Sequence, residues 1–303
     1  MNAFPWRLLA PWHWPAWLGL SVIWLVARLP WALALRLGAA LGGPLRVLAA
    51  SRRRVAERNL ALCFPEKSQA ERTRLLRENF ADMGRMFIEF ALSWMASDRN
   101  FRRIPYRVDG LEHLQAVQAQ GRGVLLGGGH FSHLELCARL VAQQLPLAGL
   151  YREHGSPVFE WAIKRRRLRY AQAMFGRKEL RATVRHLKRG GALWYAPDQD
   201  MRGKDSVFAP FFGIPASTIT ATHHLARLSG AAVIAFAHRR LPGREGYAIS
   251  LSPPLHDFPS ADEVADTARI NALIEAAARA APTQYLWLHK RFKTRPPGEP
   301  PLY

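Results

Sequence analysis

The chain has 303 residues, 49% hydrophobic and 22% charged, a folded composition that excludes an intrinsically disordered protein and allows one large domain or two modest ones. A formal net charge of +20 requires an anionic partner: nucleic acid, an acidic membrane surface, an acidic protein or a phosphorylated substrate. Ten tryptophans favour the membrane surface, where an indole meets lipid on one side and water on the other, and the two cysteines form no spaced framework, which excludes a cysteine-built zinc site.

In chain order, Leu8 to Ala27 carries no formal charge. Pro11, His13 and Pro15 interrupt its first half, so the clean apolar stretch, Ala16 to Ala27, is short for a span of about twenty residues. Leu29 to Ala50 stays apolar but contains Pro30, Arg36, Pro44 and Arg46, as an interfacial segment does. Residues 1–50 are therefore expected to be an anchor helix plus an interfacial segment, with a cleaved signal peptide as the competing reading. Arg28, Arg36, Arg46 and Arg52 to Arg54 follow the anchor, against Arg7 before it. The positive-inside rule then places the remainder, residues 51–303, in the cytoplasm, facing the inner leaflet of its membrane.

Residues 51–105 read as a helical lead-in, with Ser68 and Glu71 in capping-box relation. Strands are expected at Tyr106 to Val108, Val124 to Leu126, Leu147 to Tyr151, Ala192 to Ala196, Ala232 to Ala237 and Tyr247 to Leu251. Helical patterns lie between most of them, which predicts an α/β fold with a mixed, mostly parallel sheet flanked by helices.

The segment Leu125-Leu126-Gly127-Gly128-Gly129-His130-Phe131-Ser132-His133-Leu134-Glu135 carries the chemistry. A buried strand ends in three glycines, which allow tight turning and close approach. His130 then stands at the carboxyl edge of the sheet, where open α/β sheets bind substrates. Glu135, a little over one helical turn on, is expected to reach the imidazole and hold it in one tautomer, making His130 a general base. A packed histidine and a solvated carboxylate are the bland alternative, which the three glycines disfavour. No serine or cysteine has a nucleophile-elbow setting, so direct transfer to a hydroxyl is expected in place of an acyl-enzyme. The spacing of His130, His133 and Glu135 is not that of a metal motif, and no metal or other cofactor is expected.

The His130–Glu135 segment resembles the H-x4-D/E motif of glycerolipid-type acyltransferases. Over nearly its full length the chain is similar to the late acyltransferases of lipid A biosynthesis, on Arg58-Asn59-Leu60, Cys63-Phe64-Pro65-Glu66, Tyr151-Arg152, Trp194 to Asp200, Ser206 to Gly213 and Tyr285 to Pro296. The resemblance implies a glycerolipid-acyltransferase-like fold. It also implies transfer of an acyl chain from acyl carrier protein to a 3-hydroxyacyl hydroxyl of a lipid A precursor, among inner-membrane phospholipids. By carry-over, Arg152 would bind the oxyanion or a substrate phosphate, or else pair with Glu153. Asp198 and Asp200 would position substrate or lock Arg152. Phe208, Pro210, Phe211 and Gly213 would line an acyl groove, or else form a core turn.

Lys164 to Arg189 holds eleven Lys or Arg and one acid, Glu179, with Arg177, Arg181 and Arg185 at helical spacing. This is a solvated face or a docking surface for an acidic carrier and a phosphorylated lipid. It lacks the aromatic platform of single-strand binders and any recognisable reading helix, so no nucleic acid is expected. Two other readings stay open: the same chemistry on a lysophospholipid or amino-acid lipid, and a non-catalytic basic membrane-surface or nucleic-acid-binding protein.

Overall fold

In the computed structural model, which describes residues 4–176 and 178–303, the charge-free N-terminal segment is broken into short helices. Arg177, one of the three arginines at helical spacing, lies outside the described residues. Helix α1 (Trp14–Val26) ends before Pro30, and α2 (Trp31–Leu48) starts directly after it. Proline disfavours helical backbone in the residue before it, which accounts for the break. No single helix among the described residues is long and apolar enough to cross a membrane. Helix α2 and α3 (Ala50–Cys63) pass that test only as a pair, bent by 98°. The expected anchor helix, Ala16 to Ala27, corresponds to the 13-residue α1, which is shorter than a span. Most of the exposed large apolar side chains, from Trp6, Trp12 and Trp14 to Val47 and Leu48, still lie in the first 48 residues.

Helix α4 (Gln69–Met95) begins with the expected capping box: Glu71 N–H donates to Ser68 Oγ, and Ser68 N–H donates to the Glu71 carboxylate at 2.7 Å. Helix α2 lies along it at backbone contact. A Cβ on Gly84 would stand 2.1 Å from the carbonyl oxygen of Gly38, so only glycine permits this approach. The interfacial stretch is thus docked on the lead-in helix.

The rest follows as α5 (Asp98–Phe101), β1 (Tyr106–Asp109), α6 (Leu111–Ala119), β2 (Val124–Gly127), α7 (Leu134–Val141), β3 (Leu147–Tyr151), α8 (Pro157–Arg167), β4 (Ala171–Gly176), α9 (Leu180–Lys188) and β5 (Ala192–Tyr195). Then come β6 (Ser206–Phe211), β7 (Ile214–Ile219), α10 (Ala221–Ser229), β8 (Ala232–Arg240), β9 (Tyr247–Leu251) and α11 (Glu263–Ala280). Seven strands form one sheet in the order β1-β9-β8-β2-β5-β3-β4, and β6 and β7 form a separate antiparallel hairpin. Within the large sheet only β8 and β9 pair antiparallel, as the α/β pattern requires. The central β2 is fully buried between helical layers.

The segment after α11 is irregular, and helices α3 and α4 clasp it through two buried asparagines. Asn59 Nδ2 donates to the carbonyls of Trp287 (2.7 Å) and His289 (2.8 Å), and Asn79 Nδ2 to those of Thr283 (2.7 Å) and Tyr285 (2.9 Å). Asn79→Ala leaves two acceptors without their donor, and a loss of about 2–3 kcal/mol is expected. A lower urea midpoint at unchanged slope checks this; an unchanged midpoint would show that the clasp contributes little.

Candidate active site

Parallel pairing sets Gly127 of β2 opposite Tyr195 of β5. Each chain then continues past its strand, one to His130 and the other to Asp198, so the two side chains meet at the carboxyl edge of the sheet. His130 Nδ1 lies 2.5 Å from Asp198 Oδ1, and the His130 backbone N–H donates to Asp198 Oδ2 at 2.8 Å. The Tyr285 hydroxyl donates to the same Oδ2 at 2.8 Å. Close approach explains the glycines. A Cβ on Gly129 would stand 2.7 Å from Ile274 and 3.3 Å from Asp198 Oδ2, and none of the three glycines has a left-handed φ.

The electrostatics follow from this contact. Burial of Asp198 works to raise its carboxyl pKa, but the facing His130 and the hydrogen bonds outweigh it and bring the value down to about 2. Burial works to lower the His130 pKa. The charge of Asp198 and its hydrogen bond prevail and hold the imidazole above its ordinary 6.5. With Nδ1 engaged, Nε2 is the basic atom, and it has no hydrogen-bond partner among the described residues.

The expected contact between Glu135 and the imidazole is therefore corrected: Asp198 takes that position. Glu135 opens α7 and faces α8 instead. Arg167 grips it with Nε on Oε1 (2.7 Å) and Nη2 on Oε2 (2.6 Å), while Trp94 Nε1 and the Tyr170 hydroxyl each donate to Oε1 at 2.9 Å. Burial works to raise the Glu135 pKa, and Arg167 with these donors outweighs it and lowers it. Four donors on one carboxylate leave it ionised and fixed, as part of a wall and not as a tautomer lock. The expected contact needs a helix that begins just after His130; α7 starts only at Leu134, which turns Glu135 away from the imidazole.

A cavity of about 360 Å³ opens beside His130. Its lining joins the polar His130, Glu135, Arg167 and Arg152 to the apolar Phe90, Ala138, Leu147 to Leu150, Ala171 and Met174. Arg152 is exposed at the rim and makes no ion pair with Glu153 among the described residues. Asp200 is placed elsewhere. Its carboxylate accepts from the Thr294 N–H (2.9 Å) and hydroxyl (3.0 Å), tying the C-terminal segment down. Phe208, Pro210, Phe211 and Gly213 belong to the β6–β7 hairpin, and none lines the cavity. Phe211 is packed on Tyr285 and Phe292, and Asn271 of α11 donates to the carbonyl of Pro210 at 3.1 Å. Of the two readings of this stretch, acyl groove or core turn, the packing of Phe211 agrees with the core turn, and the apolar space beside His130 lies between α7, β3 and β4. Sequence reasoning missed Arg167 and Tyr285 in this site. Arg167 is hidden among the other arginines of α8. Tyr285 enters by bridging Phe131 from a segment far along the chain.

A family model described as bacterial lipid A biosynthesis acyltransferase matches residues 1–294. The chain is 42% identical over 301 residues to the lipid A biosynthesis lauroyltransferase of Escherichia coli (strain K12), covering 99% of this chain and 98% of that protein. It is 40% identical to the lipid A biosynthesis palmitoleoyltransferase of the same strain, covering 98% of this chain and 97% of that one. A lipid A biosynthesis acyltransferase of Haemophilus influenzae is 36% identical, with 97% and 95% covered.

Proposed function

The chain belongs to the bacterial lipid A biosynthesis acyltransferase family, and from that premise we propose that it moves a fatty acyl chain from acyl carrier protein to a 3-hydroxyacyl hydroxyl of a lipid A precursor. The observation that carries the proposal is the free Nε2 of a histidine whose Nδ1 is held by a buried carboxylate at the mouth of an apolar cavity. Nε2 takes the proton of the acceptor hydroxyl, and the oxygen attacks the thioester carbon. The tetrahedral intermediate collapses as the C–S bond breaks. The proton then passes from the imidazolium to the departing thiolate, leaving an ester and a free carrier thiol. Asp198 stabilises the imidazolium through each turn. Arg152, at the rim, serves the oxyanion or a substrate phosphate.

Residues 1–50 are assigned to seating on the cytoplasmic face of the inner membrane, and 51–303 to catalysis. The exposed tryptophans and leucines of the first 48 residues support that seating. The basic face between Lys164 and Arg189 suits the acidic carrier.

Mass spectrometry of a tetraacylated precursor, incubated with the purified chain and mixed acyl carriers, tests the reading. One mass increment, absent for His130→Ala, is expected. No increment from folded protein would redirect the search to a lysophospholipid or amino-acid lipid, and salt-dependent DNA binding without transfer would favour a non-catalytic role. The same assay reads chain length. A Cβ on Gly149 would sit 3.4 Å from Met174 Cε, so Gly149→Val extends into the cavity. It is expected to shift the product by two or more carbons toward shorter chains, since each buried methylene is worth about 0.8 kcal/mol, or about fourfold. An unchanged product mass would place the chain elsewhere.

A further inference from the structure

On the other side of the Trp94–Tyr170 wall from the acyl cavity lies a second recess, of about 280 Å³. It is formed where the end of α4, helix α5, helix α7 and the end of α8 converge. Four arginines line it, Arg102, Arg139, Arg166 and Arg169, against one carboxylate, Asp98. The net charge of these five side chains is +3, carried by a concave wall that concentrates its field.

The arginines divide into two kinds. Arg139 is buried and built into the fold. It donates to the carbonyls of Leu92, Ser93 and Ala96 and to Asp98, and its guanidinium lies 3.9 Å from the Phe101 ring centre. Arg169 also reaches Asp98, at 3.4 Å. The single carboxylate is thus already shared by two cations. Arg102 and Arg166 have no acidic partner among the described residues. Arg166 is half-buried, and both that burial and the charges of Arg169 and Arg165 lower its pKa. Two guanidiniums without acidic partners, lining one recess beside Arg139 and Arg169, form a site that an anion stabilises.

We propose that this recess is a phosphoryl-binding subsite in which Arg102 and Arg166 receive a phosphate group of a substrate whose acyl chain or reacting hydroxyl lies across the Trp94–Tyr170 wall. A guanidinium fork matches phosphate oxygens bidentately, and the recess has room for the carbon skeleton that carries them. Two sources have this chemistry: a phosphorylated headgroup of the acceptor lipid, and the phosphate of the prosthetic arm that carries the acyl chain on the donor. The inference rests on the acyl transfer proposed above. Arg102 and Arg166 act here as binding residues and take no proton in the reaction.

The test compares the chain with Arg102→Ala/Arg166→Ala and with Arg227→Ala, which removes one exposed cation on α10, outside the recess. Acceptor and donor are varied separately. The double variant is expected to raise KM for one substrate by tenfold or more, about 1.4 kcal/mol, with kcat within about twofold. A rise confined to the acceptor, and absent with a dephosphorylated acceptor, assigns the headgroup. A rise confined to the acyl carrier assigns the prosthetic arm. KM values for both substrates no different from those of Arg227→Ala overturn the subsite. Should the unmodified chain transfer nothing to the precursor, calorimetry with inorganic pyrophosphate separates the two readings. Binding that is lost in the double variant upholds the subsite while the acyl-transfer reading falls, and equal heats for the two proteins overturn it.

Discussion

Asp198→Asn is expected to lower kcat by on the order of 10⁴-fold while the fold stays intact, the loss seen when a base-orienting aspartate is made neutral. The geometry gives the reason. The His130 backbone N–H and the Tyr285 hydroxyl both donate to Oδ2, so the amide oxygen of an asparagine must take that place. Its NH2 group then faces Nδ1, which has to become the acceptor. The proton moves to Nε2, and the base is lost. The pH profile carries a second sign. With Asp198 present, His130 titrates above 6.5, so the acid limb of kcat/KM lies above that value; with the carboxylate gone, the limb moves to lower pH. A variant with unchanged kcat and an unchanged limb would remove Asp198 from the mechanism.

The same pair enters stability. The raised imidazole contributes stability that is full below its unfolded value of 6.5 and is lost as pH rises through the folded value. The depressed carboxyl contributes stability present above its unfolded value of 3.8 and lost as pH falls toward about 2. Between 3.8 and 6.5 both contributions hold, so the Tm difference between the chain and Asp198→Asn should be largest there.

Arg167→Leu is expected to destabilise the chain by about 3–5 kcal/mol, because it leaves the Glu135 carboxylate buried without its counterion. Glu135→Gln together with Arg167→Leu should recover most of that loss. The glutamine oxygen still accepts from Trp94 and Tyr170, and no buried charge remains. Thermal unfolding of the two single variants and the double variant, read as a cycle, measures the coupling. A double variant no more stable than Arg167→Leu would mean that lost packing, not the stranded charge, sets the cost. Recovered stability without recovered transfer would give the Glu135–Arg167 pair a role in transfer beyond holding the fold, since both line the cavity.

The strands that build the centre of the sheet were legible in the sequence because each is a short apolar run bounded by glycine or proline. Strand β4 was not. Its apolar residues, Ala171, Met174 and Phe175, lie inside the arginine-rich stretch, and the charge density masked the alternation. The β6–β7 hairpin leaves two readings open for a related reason: Phe211 and its neighbours are apolar whether they line a groove or pack under α11. The position of His130 at the carboxyl edge of the sheet was legible from strand, glycines and helix taken together. Its partner was not, because the proximity of Asp198 depends on the register Gly127 to Tyr195, which is a property of strand pairing and leaves no local pattern. Glu135, nearer in sequence, was the natural choice and the wrong contact. Long-range pairing overrode local spacing.

The clasp of Asn59 and Asn79 on residues 283–289 also has a bearing on the order of events during synthesis. Tyr285, which completes the hydrogen-bonding of Asp198, sits on the strip of chain that those two amides hold in place. On the ribosome, helices α3 and α4, His130 and Asp198 all emerge while that strip is still untranslated. Asp198 therefore gains the Tyr285 hydroxyl only after the strip has been made and clasped, so a partly made molecule lacks the completed arrangement.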